Sequence, residues 1–362
     1  MGSSDNRPSE EALALEKSSQ SPFDRHQLKR AFSPLMENPP LQIQEVFSGN
    51  INTIVKVETG GQYYGLRVRT QEKVYRYEPD LVKEAFVAWL MNHAFGIAGD
   101  TEVAVAFSRL RTARSGTITN RNEVLPAVRY YDWSRRHLPH PYCIYEWVDG
   151  VPLWDVPESQ LYTLAGQVLA HIHAVQFSAF YADFLSIGQQ PVSWSERYRA
   201  AFAKEVAAAR NRIHETISDT LVKLETPSSF SGTPCLVHND FAPGNILVRD
   251  GKIAAVIDWD NAVIDAPHLD FVKMKYWTAK NAKGELSHDP ELFSAVVDGY
   301  GPAGREIISS PVFRLYEILW LLRVFNFEWS KEEQGLARAP GYPAATVYEE
   351  FLVETLNKLK RP

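Results

Sequence analysis

Short runs of alternating hydrophobic and polar residues follow residue 40. Residues 53–58 and 63–69 have this pattern and are separated by Gly60-Gly61, and Val46-Phe47 is a short apolar run before them. A period of two residues is typical of β-strands, and a Gly-Gly pair favours a hairpin turn. Three later apolar runs predict further strands at residues 101–107, 124–130 and 142–147. The pattern therefore predicts a small antiparallel sheet.

Helical spacing of apolar residues interrupts this sheet once and then dominates the chain. Pro79-Asp80 precedes a helical pattern that ends at Gly96, and Asp80 is the expected N-cap. Beyond about residue 150, residues 160–175 and 195–224 are the clearest helical candidates. The second half of the chain is therefore predicted to be mainly helical.

The change of pattern divides the chain into three parts. Residues 1–40 are rich in Ser, Pro, Glu and Gln, and we expect them to form a flexible leader. Residues 41–148 carry the predicted sheet with one helix. Residues 149–362 are mainly helical, apart from a predicted hairpin at residues 246–257 with an Asp-Gly turn. The predicted fold class is α+β, with a small antiparallel sheet followed by a helical part.

Composition narrows the class of protein. Hydrophobic residues make up 45% of the chain and charged residues 23%, which is typical of globular proteins. A net charge of −6 argues against nucleic acid as a partner. Residues 312–327 are strongly apolar, but three charged residues within them favour a buried helix over a membrane span. Because the start of the sequence has no basic-then-apolar signal pattern, and Cys143 and Cys235 lie in apolar runs, we expect a cytoplasmic protein.

The strongest chemical pattern is His238-Asn239-Asp240, followed by Asn245 and, across the predicted hairpin, by Asp258. Phosphoryl transfer needs little covalent help from a protein, but it depends on positioning and on neutralised charge. A carboxylate such as Asp240 accepts the proton of an attacking hydroxyl. Asn245 and Asp258 offer oxygen ligands to a Mg²⁺ ion that bridges phosphates. The pattern favours a Mg²⁺-dependent kinase, with His238 as a hydrogen-bonded support of the loop.

Residues 236–259 resemble the catalytic loop and metal-binding strand of the aminoglycoside phosphotransferase family, which is related to protein kinases and choline kinases. They carry His-x-Asp-x-x-x-x-Asn and an Ile-Asp-Trp sequence at Asp258, most similar to hygromycin-type phosphotransferases. The resemblance implies a bilobal, protein-kinase-like fold and ATP or GTP as donor. It also implies Asp240 as catalytic base and Asn245 and Asp258 as Mg²⁺ ligands. Asp270 matches a family residue that braces the site, although a helix cap explains it equally well.

The resemblance implies nucleotide contacts in the sheet as well. A phosphate-covering loop is expected at Ser48-Gly49-Asn50, which a plain turn would also explain. The third strand should supply a Lys, but Arg67 stands there, and Glu84 on the following helix is its expected partner. A guanidinium keeps the charge of an ammonium but not its geometry.

The purine contact is implied at the end of the last strand of the sheet. Glu146 and Val148 would hydrogen-bond the base through their backbone groups, so the sequence does not decide between ATP and GTP. A strand that ends in an Asp-Gly turn is an equally good account of this segment.

The sequence says least about which molecule accepts the phosphoryl group. The resemblance favours an aminoglycoside or aminocyclitol antibiotic, while choline-like alcohols, homoserine, sugars, macrolides and nucleosides stay open. A cationic acceptor would use carboxylates, for which Asp260, Asp265 and Glu328 are candidates, and Trp277 is a candidate for stacking. If the protein has no catalytic activity, the alternative is a nucleotide-binding pseudokinase. The intact set of catalytic base and metal ligands disfavours this alternative.

Overall fold

The computed structural model describes most of the chain. The described residues are 16–18, 21–37, 39–48, 52–69, 81–93, 100–113, 115–117, 125–224, 230, 232–338 and 341–359. The predicted N-cap Asp80 and the predicted helix end Gly96 lie outside them.

A seven-stranded antiparallel sheet forms the N-terminal lobe. Its strands lie in the order β1-β2-β3-β4-β7-β6-β5. They are β1 (Glu16–Ser18), β2 (Gln42–Ser48), β3 (Asn52–Thr59), β4 (Gln62–Arg69), β5 (Ser115–Thr117), β6 (Val128–Asp132) and β7 (Tyr142–Glu146). In β3 every second residue is buried, as the alternation in the sequence predicts. Gly60 and Gly61 turn the chain between β3 and β4 with positive φ angles, which glycine tolerates.

Part of the expected flexible leader is an ordered helix, α1 (Arg25–Phe32). The Asp24 side chain accepts a hydrogen bond from the Gln27 N–H, and the Gln27 side-chain oxygen accepts one from the Asp24 N–H, which together form a capping box. Four apolar residues of this segment are buried against the sheet: Phe23, Leu28, Ala31 and Phe32. The leader prediction is wrong over this segment, because its apolar face has a sheet to pack on.

Two helices, and not the single predicted one, follow β4 within the described residues of the N-terminal lobe. Helix α2 (Leu81–His93) lies where the sequence predicts it, but residues 101–107 are helical, within α3 (Asp100–Ala113), and the strand prediction there is wrong. The alternation of Val and Ala in this segment resembles a strand pattern. In the structure the segment is helical, and its Val103 is buried in the core. The Asp100 carboxylate at its start accepts a hydrogen bond from the Tyr181 hydroxyl at 2.7 Å. Tertiary packing therefore overrides the local pattern.

The C-terminal lobe is mainly helical, as predicted. Its helices are α4 (Ser159–His173), α5 (Trp194–Ala209), α6 (Glu215–Val222), α7 (His268–Tyr276), α8 (Pro290–Tyr300), α9 (Pro302–Ser309), α10 (Pro311–Glu333) and α11 (Ala345–Leu359). Short strands interleave them: β8 (Val151–Pro152), β9 (Cys235–Val237), β10 (Ile246–Arg249), β11 (Lys252–Val256), β12 (Val263–Asp265), β13 (Ala279–Lys280) and β14 (Leu286–Ser287).

The apolar segment at residues 312–327 lies inside α10, which crosses the core of this lobe. Within the described residues, no helix combines the length and the apolar character that a membrane crossing requires. The α+β prediction, with an antiparallel sheet before a helical lobe, is confirmed.

Candidate active site

Strand β9 leads into the loop that carries Asp240. Asn239 adopts a left-handed conformation, with a φ of 60°. The Phe241 side chain is fully buried and Pro243–Asn245 form a 3-10 turn. The loop is therefore fixed at both ends by the core, and Asp240 stands between two anchored segments.

Asp270 holds this loop through its backbone. One carboxylate oxygen accepts a hydrogen bond from the His238 N–H at 2.8 Å, and the other accepts one from the Asn239 N–H at 2.7 Å. The Asp270 side chain is fully buried, and it also bonds the His173 ring at 3.1 Å. Asp270 lies in the first turn of α7, and the N-cap position of this helix is Pro267. These bonds connect α7 to the backbone of the loop that carries Asp240, and the bracing role that the family resemblance implies for Asp270 stays a prediction.

The His238 ring supports the same loop from within. Its Nδ1 lies 3.2 Å from the Asp240 N–H, and its Nε2 lies 3.0 Å from the Ile257 carbonyl oxygen. Because Nδ1 faces a donor and Nε2 faces an acceptor, we assign the neutral tautomer with the proton on Nε2. Both nitrogens are used in positioning, which leaves none for proton transfer to a substrate.

The Asp240 carboxylate has two different oxygens. Oδ1 accepts a hydrogen bond from the Lys273 ammonium, and Oδ2 is approached by the Asn261 amide at 3.5 Å. Burial acts to raise the pKa of Asp240, but the Lys273 ammonium outweighs it and holds that pKa below its usual value. The carboxylate is therefore ionised at neutral pH, and Oδ2 is the oxygen with the weaker protein contact.

Asn245 and Asp258 are neighbours across the β10–β11 hairpin. The Ile257 N–H donates to the Asn245 carbonyl at 2.9 Å, so the residue that follows Ile257 lies beside Asn245. Asn245 donates its side-chain amide to the Asp240 carbonyl at 2.9 Å. Since the amide nitrogen is the donor in that bond, the amide oxygen is the atom that a cation would use. The Asp258 side chain is 44% exposed, and its backbone adopts a left-handed φ of 65° that directs the chain into the next turn.

This pair has the chemistry of a Mg²⁺ site in a nucleotide enzyme. Mg²⁺ in such sites takes one or two protein carboxylates, and phosphates and water complete its octahedron. Among the described residues, no group of three or more His, Cys, Asp or Glu is arranged to hold a metal by itself. One carboxylate and one amide oxygen fit a cation that arrives with phosphate ligands.

Arg67 joins the sheet to this hairpin. Its Nη1 donates to the two oxygens of Glu84 at 3.1 and 3.2 Å, which is the partner the sequence predicts. Its Nη2 donates to Asp258 at 3.0 Å and to Asp260 at 2.6 Å. Only 8% of the Arg67 side chain is exposed. One buried guanidinium therefore serves three carboxylates, two of which lie in the other lobe.

The imbalance of charge around Arg67 shifts two pKa values. Burial acts to lower the pKa of Arg67, but Asp260, Glu84 and Asp258 together raise it well above its usual value. Burial raises the pKa of Glu84 to about 7; Arg67 opposes this rise, and Asp260 and Asp258 add to it. The cluster thus carries more negative charge than its one guanidinium neutralises.

Two further residues predicted to contact the nucleotide, Ser48 and Glu146, lie at the ends of strands. Ser48 ends β2, while Gly49 and Asn50 lie outside the described residues. Glu146 ends β7, and its N–H donates to the Ala127 carbonyl at 2.9 Å. Val148 follows directly in the connection between the lobes.

The carboxylates predicted for a cationic acceptor are already paired within the protein. Asp260 bonds Arg67, and Asp265 bonds Arg197 at 2.8 Å. Glu328 is almost fully buried and pairs with Lys331 at 3.4 Å. Asp265 also lies opposite Cys235 in the β9–β12 ladder, at the end away from the Asp240 loop. The structure does not bring Asp265 to the site.

Trp277 is buried, with 7% exposure, and packs on Trp320 and Tyr342. Its ring is also covered by the Lys273 ammonium, 5.0 Å from the ring centre. Trp277 therefore lies near Asp240 through Lys273, as part of the core.

Sequence reasoning missed three side chains of the site. Lys273, Asn261 and Asn52 contact Asp240 or Asp260. Lys273 stands three residues after Asp270, a spacing that favours an ordinary surface ion pair on a helix. Asn261 follows Asp258 by only three residues, and this closeness along the chain could have indicated that Asn261 belongs to the site.

A family model described as the phosphotransferase enzyme family matches residues 43–308, which is more than half of the chain. The hygromycin-B 4-O-kinase of Escherichia coli is 25% identical over 147 residues. The match covers 38% of this chain and 43% of that protein, so the chain spans less than half the length of this relative.

Solved structures share the fold. One is a thermostable mutant of aminoglycoside phosphotransferase APH(4)-Ia in ternary complex with ADP and hygromycin B. It has a TM-score of 0.57 and 16% identity, over 93% of this chain and 100% of that one. A putative aminoglycoside phosphotransferase from Ralstonia eutropha has a TM-score of 0.59 and 16% identity, over 92% and 96%. At these identities the likeness shows the fold alone. The chain belongs to the phosphotransferase enzyme family, and it has the bilobal fold of the aminoglycoside phosphotransferases.

Proposed function

We propose that this protein transfers the γ-phosphoryl group of ATP or GTP to a hydroxyl of a small molecule, with an aminoglycoside or aminocyclitol antibiotic of the hygromycin type as the leading acceptor. The convergence of Asp240, Asn245 and Asp258 at one end of the β10–β11 hairpin carries the proposal. The partial match to a hygromycin-B kinase supports the acceptor class. Because the donor is made in the cytoplasm, we expect the reaction there.

Asp240 has the properties of the base in this reaction. The acceptor hydroxyl donates to Oδ2, because Oδ1 is bonded to Lys273. As the hydroxyl oxygen forms a bond to the γ-phosphorus, its proton passes to Oδ2 and the bond between this phosphorus and the β–γ bridging oxygen breaks. The nucleoside diphosphate leaves with the electron pair of that bond. Asp240 then returns the proton to solvent.

The chain's other residues bind and orient the donor. Asn245 and Asp258 would hold Mg²⁺, which supplies positive charge to the phosphates. Arg67, fixed by Glu84, adds a charge from the sheet. We assign Ser48, Gly49 and Asn50 to the phosphates, and the backbone of Glu146 and Val148 to the purine.

The test is a mass-spectrometric assay of the purified protein with Mg²⁺, ATP or GTP, and hygromycin B within a panel of hydroxylated antibiotics and metabolites. We expect a product heavier by one phosphoryl group. The test variant is Asp240→Asn, and its matched control is Asp250→Asn, which makes the same chemical change at the tip of the β10–β11 hairpin. Asp250 is 90% exposed at the hairpin tip, where Asn fits the turn equally well.

Loss of product in Asp240→Asn with full activity in Asp250→Asn supports the proposal. Equal activity in the two variants contradicts it. A wild-type protein that hydrolyses neither nucleotide and phosphorylates no member of the panel contradicts it as well.

A further inference from the structure

Asp260 is a charged residue of the site to which the proposed reaction gives no role. It lies in the short turn Trp259–Asn261, directly after the proposed metal ligand Asp258 and Trp259, and only 7% of its side chain is exposed. The sequence made it a candidate for a cationic acceptor, but its Oδ2 atom already accepts hydrogen bonds from two residues of the N-terminal lobe. A buried carboxylate with these partners needs another explanation.

The two donors come from neighbouring strands of the sheet. The Arg67 Nη2 atom on β4 donates to Oδ2 of Asp260 at 2.6 Å, and the Asn52 side-chain amide on β3 donates to the same oxygen at 3.1 Å. Arg67 lies opposite Ile54 in the β3–β4 ladder, so Arg67 and Asn52 are diagonal neighbours on one face of the sheet. The Lys83 ammonium on α2 also lies 3.4 Å from the Asp260 carbonyl oxygen. Asp260 is therefore a point at which the two lobes meet.

Asn52 is the residue at which β3 begins, and it follows closely after residues 48–50, which we assign to the phosphates. Ser48 lies opposite Thr53 in the β2–β3 ladder, so both ends of this segment are joined to the start of β3. The bond between Asn52 and Asp260 therefore fixes the place where this segment is anchored, relative to the C-terminal lobe.

Arg67 divides its hydrogen bonds between the lobes. Its Nη1 bonds Glu84, and its Nη2 is shared by Asp258 at 3.0 Å and Asp260 at 2.6 Å. In the proposed function Asp258 binds Mg²⁺, and two cations compete for one carboxylate because they repel each other. Asp260 gives the guanidinium a second partner in the C-terminal lobe, so Arg67 can stay between the lobes while Asp258 binds the cation.

We propose that Asp260 is a positioning residue, which holds Arg67 and the start of β3 beside Asp258 so that the two lobes together form the phosphate site. The inference rests on the proposed function, because it needs a nucleotide that binds there. It adds to that function the residue that connects the lobes.

The charge of Asp260 gives this role a characteristic sign. A carboxylate without a positioning role would only repel the triphosphate, so its removal would tighten nucleotide binding. A carboxylate that holds Arg67 and Asn52 in place has the opposite effect, because without it the ligand has to order the phosphate site itself. The direction of the change in affinity therefore separates the two cases.

The experiment measures the variant Asp260→Ala without any turnover. Titration calorimetry gives the affinities for AMP-PNP with Mg²⁺ and for adenosine, which has the base and the sugar but no phosphates. Hydrogen exchange with mass spectrometry gives the protection of β3 in the free protein. We expect the affinity for AMP-PNP to fall by about tenfold, as for the loss of a hydrogen bond to a charged group, and β3 to exchange faster. The affinity for adenosine should stay unchanged.

Asp265→Ala is the matched control. Asp265 is a second well-buried aspartate of the same lobe, which pairs with Arg197 at 2.8 Å and accepts a hydrogen bond from the Tyr316 hydroxyl. The same chemical change therefore removes a carboxylate with two partners, but all of them belong to the C-terminal lobe. Both affinities and the protection of β3 should stay at their wild-type values, even where the variant is less stable.

Asn52→Ala tests the same contact from the other lobe. It leaves Arg67 with all three of its carboxylates, so it decides the question if thermal unfolding shows that Asp260→Ala is not folded. It should weaken AMP-PNP binding by about threefold to tenfold and speed the exchange of β3. In the double variant the two losses should be less than additive, because both substitutions remove the same bond.

Tighter binding of AMP-PNP by Asp260→Ala overturns the inference, and so do equal losses of affinity for AMP-PNP and adenosine. A weaker affinity for AMP-PNP with wild-type protection of β3, and full additivity with Asn52→Ala, would overturn it as well, because Asp260 would then act on the cation directly. Failure of the proposed function is distinct. If AMP-PNP binds as expected but no acceptor of the panel is phosphorylated, the phosphoryl transfer is contradicted and the positioning role of Asp260 stands.

Discussion

The nucleotide side and the acceptor side of Asp240 differ in how their charges are matched. On the nucleotide side, the Arg67 guanidinium faces three carboxylates, from Glu84, Asp258 and Asp260. On the acceptor side, Asp240 and Glu328 each have a lysine of their own. On the nucleotide side three carboxylates therefore share one guanidinium, with the Lys83 ammonium 3.4 Å from the Asp260 carbonyl oxygen, whereas on the acceptor side each carboxylate has a lysine.

This difference indicates what each side binds. An unbalanced group of carboxylates is costly where it is buried unless a cation joins it, and in the proposed function that cation would be Mg²⁺ with its phosphates. A balanced ion pair has no such requirement, so the pairs of Asp240 with Lys273 and of Glu328 with Lys331 need no added cation. The following predictions test this division.

The largest effect is expected for Asp240→Asn. The amide keeps the shape of the carboxylate but accepts no proton, so kcat should fall by about 10³- to 10⁴-fold. The affinity for Mg²⁺ and AMP-PNP, measured by calorimetry, should change little, because Asp240 lies on the acceptor side. A loss of nucleotide affinity as large as the loss of kcat would contradict the division.

Arg67→Met should lower the free energy of unfolding by about 3 kcal/mol, because it leaves buried carboxylates without a partner. Urea denaturation measures this change. Added Mg²⁺ should restore part of the stability, because the ion binds the same carboxylates in the folded state only. Arg197→Met is the control. It breaks the single pair with Asp265, and Mg²⁺ should not restore its stability.

Asp258→Asn should weaken the binding of Mg²⁺ and nucleotide by about tenfold to a hundredfold. Asparagine tolerates the left-handed backbone at this position, so the loss reports the ligand rather than strain. Glu328→Gln on the acceptor side should leave this affinity unchanged. Titration calorimetry of the two variants decides the prediction, and equal losses would remove the contrast between the sides.

The smallest expected effect is the release of a proton when Mg²⁺ and nucleotide bind. With a pKa of about 7, Glu84 is partly protonated at neutral pH in the free protein. A divalent cation near Asp258 lowers that pKa, so nucleotide binding with Mg²⁺ should release up to about half a proton at pH 7. Calorimetry in buffers of different ionisation enthalpy measures the release, and Glu84→Gln should abolish it. Proton uptake on binding would contradict the prediction that Glu84 is partly protonated in the free protein.

The pH dependence of stability follows from the same group. The pKa of Glu84 in the folded state lies above its unfolded value of 4.5. The folded protein therefore binds the proton more tightly, and this contribution to stability is complete below pH 4.5 and is lost as the pH rises through about 7. Glu84→Gln should flatten the dependence in that window.

The parts of the site that the sequence predicts are close together along the chain. Asp240, Asn245 and Asp258 lie on one loop and one hairpin, so their spacing fixes their meeting. Arg67 and Glu84 were paired only through the family resemblance. The contacts of Arg67 with Asp258 and Asp260 join residues almost 200 positions apart, and no local pattern indicates them.

The two errors in the predicted fold have different causes. The capping box that begins α1 is visible in the sequence, but the Ser- and Pro-rich residues around it obscure the signal. In α3 the alternation of Val and Ala is a genuine strand pattern, and packing against the C-terminal lobe reverses it. Lys273 was missed because its partner is 33 residues away.

The most direct measurement is a crystal structure with Mg²⁺ and AMP-PNP. We predict a cation at about 2.0–2.1 Å from the Asn245 amide oxygen and an Asp258 carboxylate oxygen. The γ-phosphate should face Oδ2 of Asp240. A cation bound away from these two residues, or a γ-phosphate turned away from Asp240, would contradict the account.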